Sequence, residues 1–342
     1  MDWQPPSNWR RFTTIESHTE GEPLRLVTSG INSIPGSTII EKRRYAIDHY
    51  DELRRTLMYE PRGHVDMYGA IITEPVTKDG DVGVLFLNNE GWSTMCGHGI
   101  IAVSTILIET RMLSARETVK IDAPPGRITA HCRLSKNSNN ENRVTSVAFE
   151  NVASFISAAD QNVDVPGVGS VRYDIAYGGA FYAFVEARDF GLELTPSNYN
   201  RLIEYGMSIK HAVMKSQTIR HPFEPDLSFL YGTIFVGPSR SKDANSRHVC
   251  IFAEGQVDRS PTGTGVSARL ALEHARGRIK TDEKFVVESI LGTRFTGRVK
   301  SASKFGGYDA VIPEVEGSAW IVGRSEFLIV PDDPLKDGFI LR

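Results

Sequence analysis

Most of the chain alternates apolar and polar positions over four to eight residues, then breaks at Gly, Asn, Asp or Pro. That period-two pattern, rich in Val, Ile, Thr, Phe and Tyr, predicts strands. The clearest lie at 24–28, 82–87, 128–134, 144–150, 180–186, 232–236, 248–253, 285–291 and 319–330. Helical periodicity is confined to 40–57, 99–113, 197–215 and 266–277. The polar, Asn-rich stretch 136–143 reads as an exposed hairpin tip.

An internal echo organises the pattern. The run Cys96-Gly97-His98-Gly99-Ile100-Ile101-Ala102 returns, 166 residues on, as Thr262-Gly263-Thr264-Gly265-Val266-Ser267-Ala268. Each copy follows an apolar strand closing on Glu-Gly (Glu90-Gly91, Glu254-Gly255), and each opens a helical segment. A repeated strand, glycine turn and helix start implies two similar units facing one another. We expect an N-terminal half at 10–155 carrying Cys96 and a C-terminal half at 156–330 carrying Thr262. The segment 319–342 is expected to pack back on the first half.

Length and composition narrow the class. The chain has 342 residues, 40% hydrophobic and 24% charged, with a net charge of −3. That is room for two ordinary globular units. No basic stripe recommends nucleic acid as a partner. The longest apolar stretch, 99–108, is too short to span a bilayer, and residues 1–11 lack an apolar signal region. The expected location is cytoplasmic, with no membrane partner. Three cysteines, Cys96, Cys132 and Cys250, make neither a disulfide framework nor a zinc pattern. Cys132 and Cys250 fall in strands and read as small buried hydrophobes.

Cys96 stands apart because of its turn. An x-Gly-x-Gly turn ahead of a helix gathers backbone N–H groups at the positive end of the helix dipole, which suits a carboxylate or phosphate. Two such turns in opposition would hold one small anion between them. A thiol there is expected to have a lowered pKa, lowered further by His98. Nucleophilic attack, redox chemistry and removal of a proton α to a bound carboxylate all remain open. The third is favoured, because two opposed groups around one carbon suit chemistry at Cα.

Other polar residues carry weaker cases. His18, Glu20 and Glu22, and His64 with Asp66, belong better to hydrogen-bond networks than around a metal. Arg62 suits a structural ion pair, Tyr177 and Phe181 either line a pocket or fill the core, and Glu109, Arg111, Arg269, Glu273 and Arg276 read as solvated helix faces.

The stretches Met95-Cys96-Gly97-His98-Gly99 and Asp258-Arg259-Ser260-Pro261-Thr262-Gly263-Thr264-Gly265 resemble the paired motifs of the proline racemase family. Ser17-His18-Thr19-Glu20-Gly21-Glu22-Pro23, Glu60-Pro61-Arg62-Gly63-His64 and Tyr177-Gly178-Gly179-Ala180-Phe181-Tyr182 extend the likeness over most of the chain. The resemblance implies an α/β (α+β) fold of two diaminopimelate-epimerase-like domains. Each would be a curved mixed sheet around a central helix, with the active site in the cleft. It also implies an imino-acid substrate and no metal, pyridoxal phosphate or nicotinamide, and it is compatible with a homodimer. His98 and Asp258 would contact the ring nitrogen.

One departure points to a branch. Racemases and 4-hydroxyproline epimerases of the family carry cysteine in both motifs, whereas Thr262 stands in the second here. A threonine hydroxyl is too weak an acid to exchange a proton with Cα. The Cys96/Thr262 pair resembles the trans-3-hydroxy-L-proline dehydratase branch. In that substrate the 3-hydroxyl and the α-hydrogen share a ring face, so Cys96 could take the proton and return it to the departing hydroxyl. Gly97, Gly263 and Thr264 would hold the carboxylate through backbone N–H groups. Alternatives are a racemase or 2-epimerase, a non-catalytic imino-acid-binding protein, and a nicotinamide oxidoreductase. The last arises because both turns also fit Gly-x-Gly-x-x-Ala.

Overall fold

The computed structural model describes residues 3–136 and 138–341. Its elements run twice through nearly the same order, with two helices in the first series where the second has one. The first series is β1 (Arg10–Thr19), β2 (Glu22–Ser29), α1 (Ile39–His49), α2 (Asp51–Met58), β3 (Tyr68–Thr73), β4 (Val82–Asn88), β5 (Trp92–Ser93), α3 (Gly97–Glu109), β6 (Thr118–Ala123), β7 (Gly126–Lys136), β8 (Asn142–Glu150) and β9 (Ser154–Val165). The second is β10 (Gly169–Tyr177), β11 (Phe181–Glu186), α4 (Tyr199–Ser216), β12 (Leu230–Gly237), β13 (Ser246–Phe252), β14 (Gln256–Val257), α5 (Gly263–Ala275), β15 (Phe285–Glu288), β16 (Arg294–Phe305), β17 (Tyr308–Gly317) and β18 (Ala319–Ile329).

Pairing repeats with the order. β2–β3 and β11–β12 are parallel, β3–β4 and β12–β13 antiparallel, and β4–β6 and β13–β15 parallel. Antiparallel hairpins β6–β7–β8 and β15–β16–β17 complete each series. The ends are exchanged: β18 pairs with β1, and β9 pairs with β10. Because β9 also meets β17, it closes a ring with seven strands of the second series, β10, β11, β12, β13, β15, β16 and β17. The first curls from β18 to β8, which continues onto β17. The architecture is α+β, a strongly curved sheet system enclosing two helices.

Those two helices are α3 and α5, 13 residues each. Residues Gly97 to Ile108 of α3 are buried on every side. That is why its sequence is apolar all round rather than amphipathic. Burial of each Ile, Leu or Val side chain here stabilises by about 1.5–3 kcal/mol. The polar residues in this helix are satisfied locally: the hydroxyls of Ser104 and Thr105 donate to the carbonyls of Ile100 and Ile101 at 2.8 and 2.9 Å. Ser267 does the same in α5, to Gly263 at 3.0 Å.

Several expectations change. The single helix expected at 40–57 is two, broken where Tyr50 leaves helical geometry (φ −126°, ψ 15°). α3 stops at Glu109 because Arg111 turns left-handed (φ 64°). Arg269 and Glu273 are not a solvated face: both are buried and paired at 2.7 Å, one helical turn apart. Arg276 pairs with Asp174 at 2.7 Å across to β10. The hairpin tip expected at 136–143 includes Asn137, which lies outside the described residues. Among the described residues no helix is long and apolar enough to cross a membrane.

Candidate active site

The N-termini of α3 and α5 meet head to head. A Cβ placed on Gly97 would lie 2.7 Å from the Cα of Gly263, and one on Gly263 would lie 2.9 Å from the Cα of Gly97. Neither distance is tolerable, so both positions require glycine. The contact brings two positive helix ends and their free N–H groups to one point. As they stand, the two turns face each other instead of an open crevice.

A small cavity of about 20 Å³ opens beside this contact. Cys96, Gly97, His98, Asp258, Thr262, Gly263 and Thr264 all border it. Cys96 and Thr262 are the residues immediately before the two helices, and the strands β4–β5 and β13–β14 deliver them there. The Cys96 backbone is extended (φ −147°), and its Sγ accepts the Gly99 N–H at 3.1 Å, so the sulfur caps its own helix. Thr262 sits at φ 66°, a region that β-branched residues rarely enter. Its hydroxyl caps nothing and has no hydrogen-bond partner among the described residues, although the side chain is 4% exposed.

His98 lies 3.2 Å through Nδ1, and 3.6 Å through Nε2, from the sulfur. Its carbonyl accepts the Thr19 hydroxyl at 2.8 Å. Asp258 accepts the Ser260 N–H at 2.8 Å, and the Thr264 hydroxyl lies 2.6 Å from that of Tyr182. Behind them, Glu22 accepts the Arg259 N–H at 2.7 Å, and Asp66 pairs with Arg259 at 2.7 Å and accepts from Tyr199 at 2.9 Å. His18 stacks on Trp320, the Glu20 carboxylate accepts the Ser318 N–H, and His64 bonds its neighbour's carbonyl. Arg62 reaches the Lys336 carbonyl at 3.0 Å and, more distantly, Asp333.

The electrostatics correct one expectation. The sequence predicts that the helix end and His98 lower the Cys96 pKa. Burial instead pushes the thiol well above its usual range; the Gly99 N–H works the other way, and nearby Asp258 and Glu22 add to the rise. Burial also lowers His98 to about 3, so the imidazole is neutral and makes no ion pair with a thiolate. Asp258 is raised to about 6 by burial, against hydrogen bonding from Ser260 and the polarity of the nearby Thr262 hydroxyl. Protein groups alone thus leave the cavity short of positive charge beside its acids. A cation arriving next to Asp258 would favour the ionised forms of both Asp258 and Cys96.

The sequence pattern missed the walls. Tyr68, Tyr182, Tyr231, Phe252 and Cys250 border the cavity, while Tyr177 and Phe181 do not. Tyr177 and Phe181 are cross-strand partners on the far face of β10–β11, packed on Phe155. Tyr182, one residue on, faces the site; the period-two rule separates the two sets. Cys250 is buried as expected, but at the site.

The chain matches the proline racemase family model over residues 14–340. It is 47% identical to a trans-3-hydroxy-L-proline dehydratase of Colwellia psychrerythraea, over 99% of this chain and 96% of that protein. It is 44% identical to a 3-hydroxyproline 2-epimerase of Burkholderia multivorans, over 97% and 99%. The crystal structure of a hydroxyproline epimerase from Agrobacterium vitis with bound trans-4-hydroxy-L-proline superposes with a TM-score of 0.91 at 31% identity, covering 98% of this chain and 96% of that one. With its two glycine turns joined at one cavity and its whole length matched, the chain belongs to the proline racemase family.

Proposed function

We propose that the chain dehydrates trans-3-hydroxy-L-proline to Δ1-pyrroline-2-carboxylate, with Cys96 as the base. The observation that carries this reading is that Cys96 and Thr262, the residues immediately before the two joined helix starts, border one cavity. One helix start brings a thiol to the cavity and the other a hydroxyl that does not titrate in the working range, so in this reading only one face of Cα exchanges a proton.

In this reading the substrate carboxylate docks on the N–H groups of Gly97, Gly263 and Thr264, at the joined helix ends. The ring ammonium lies beside Asp258 and His98 and supplies the missing positive charge, which stabilises the thiolate of Cys96. The thiolate removes the α-proton, the 3-hydroxyl leaves from the same face, and the enamine tautomerises to the cyclic imine. Thr262 packs on the opposite face, its free hydroxyl available to the substrate. A cavity of about 20 Å³ holds little more than one water, so an imino acid enters only when the two glycine turns separate. That motion suits a division into a 10–155 unit, completed by β18, and a second unit made of the rest of 156–330.

The likeness to a 3-hydroxyproline 2-epimerase makes inversion at C2 the competing outcome. The test is incubation with trans-3-hydroxy-L-proline, its cis and 4-hydroxy isomers, and both prolines, followed by product identification. Pyrroline-2-carboxylate formed from the first substrate alone supports the proposal. Turnover of another hydroxyproline, with that substrate untouched, contradicts it.

A further inference from the structure

Dehydration demands two proton events on one ring face: removal from Cα and delivery to the departing oxygen on the adjacent carbon. Beside Cys96 the structure places a pair of phenols that the proposed steps above do not use. Tyr68 comes from β3 and Tyr231 from β12, and their hydroxyls lie 3.1 Å apart. Ser93, on β5, is 3.4 Å from the Tyr231 hydroxyl and is held by the Met95 carbonyl at 3.1 Å. Both tyrosines border the Cys96 cavity. The Tyr68 ring meets His98 edge-on at 4.8 Å, and its hydroxyl is near enough to the sulfur to interact with it. Tyr231 and Ser93 also line an outer cleft with Phe229 and Lys210, so the hydroxyl chain leads from the thiol outward.

The third phenol at the site, Tyr182, is engaged with Thr264 in the opposite half. Tyr68 is therefore the donor on the thiol's side. Burial raises the pKa of Tyr68 and Tyr231 well above that of a free phenol, which keeps both protonated and able to donate at neutral pH.

We infer that Tyr68 is a further catalytic residue, which binds the substrate 3-hydroxyl and relays to it the proton that Cys96 takes from Cα. Tyr231 and Ser93 are positioning residues that aim its phenol. The inference rests on the dehydratase reading. The Cys96 thiolate takes the α-proton, and the C–H electron pair becomes the Cα–C3 π bond. The C3–O bond breaks toward oxygen, which accepts the Tyr68 proton and leaves as water. Tyr68 regains a proton from the Cys96 S–H, and the thiolate is restored.

The test compares leaving groups. Tyr68→Phe removes one oxygen and no packing volume. It should lower kcat for trans-3-hydroxy-L-proline by about 100-fold or more, the range of general acid catalysis. Chloride release from the 3-chloro analogue of the same configuration, which needs no proton, should stay within about 5-fold of wild type. The α-deuterium isotope effect on the hydroxyl substrate should also shrink, because C–O cleavage becomes slow. Tyr231→Phe should show the same selectivity more weakly. Equal loss on both substrates with an unchanged isotope effect, or no loss on either, would overturn the relay. A wild-type protein that eliminates chloride but leaves the hydroxyl substrate intact would overturn the dehydratase reading itself.

Discussion

The two helix starts at the centre of the molecule are built alike and end differently. α3 and α5 have the same length, the same glycine pair and nearly the same burial, and their N-termini touch. At α3 the preceding residue is extended, and its sulfur caps the helix at 3.1 Å. At α5 it is left-handed, and its hydroxyl has no partner. What is shared is backbone, which can bind a carboxylate. What differs is the side chain that would meet each face of Cα. The repeat provides two matching helix starts, and in the proposed reading one residue makes their chemistry one-sided. The left-handed Thr262 costs about 1–3 kcal/mol of backbone strain, a cost that tends to concentrate at functional sites.

The comparison breaks most completely at Cys96. Cys96→Ser should cut turnover by about 1000-fold or more, since a serine hydroxyl does not ionise in the working range. An unchanged thermal midpoint would show that the loss is chemical. Next is the shared backbone. Gly263→Ala pushes a methyl into Gly97 and should cost about 100-fold in kcat/KM, most of it in KM, if that contact holds the carboxylate.

Asp258 tests the charge argument. A carboxyl at about 6 must ionise to receive the ring ammonium, so kcat/KM should show an acid limb near pH 6, separate from the rise that the high-titrating Cys96 thiol gives at alkaline pH. Asp258→Asn should lower kcat/KM by about 10- to 100-fold and abolish that acid limb. An acid limb that persists in the variant would place the titration elsewhere.

Thr262→Cys sharpens the comparison from the other side. It places a second thiol at a helix end and removes a β-branch from a left-handed position. Proton exchange on the second face of Cα should appear, read as slow racemisation of L-proline, while dehydration changes by less than about 10-fold. No exchange above wild type in a folded variant would mean that Thr262 does not face Cα. The smallest effect belongs to Cys132→Ser. That thiol is buried in β7 away from the cavity, so activity should be unchanged and stability should fall by about 1 kcal/mol.

Much of the site was legible because its residues sit in two contiguous turns. Cys96, Gly97, His98, Asp258, Thr262, Gly263 and Thr264 needed only the echo to be collected. The walls come from four separate strands, and no local spacing brings Tyr68 near Tyr231. Tyr182 was within reach, because alternation along β11 puts it on the face opposite Phe181. The protonation states were the least legible. A helix end and a histidine predict a thiolate, but desolvation outweighs them, and burial depth is a property of the assembled sheets. For the same reason Arg269 and Glu273 look like surface residues in the sequence and are an enclosed pair in the fold.

The most direct test of one-sided chemistry is the fate of C2 in trans-3-hydroxy-L-proline. Wild-type protein is incubated with it, and both remaining substrate and product are followed by NMR and chiral chromatography. A single base opposite Thr262 predicts conversion to Δ1-pyrroline-2-carboxylate, with the remaining substrate keeping its original configuration. Accumulation of the C2 epimer, cis-3-hydroxy-D-proline, would require a proton donor on the Thr262 face and would contradict the account.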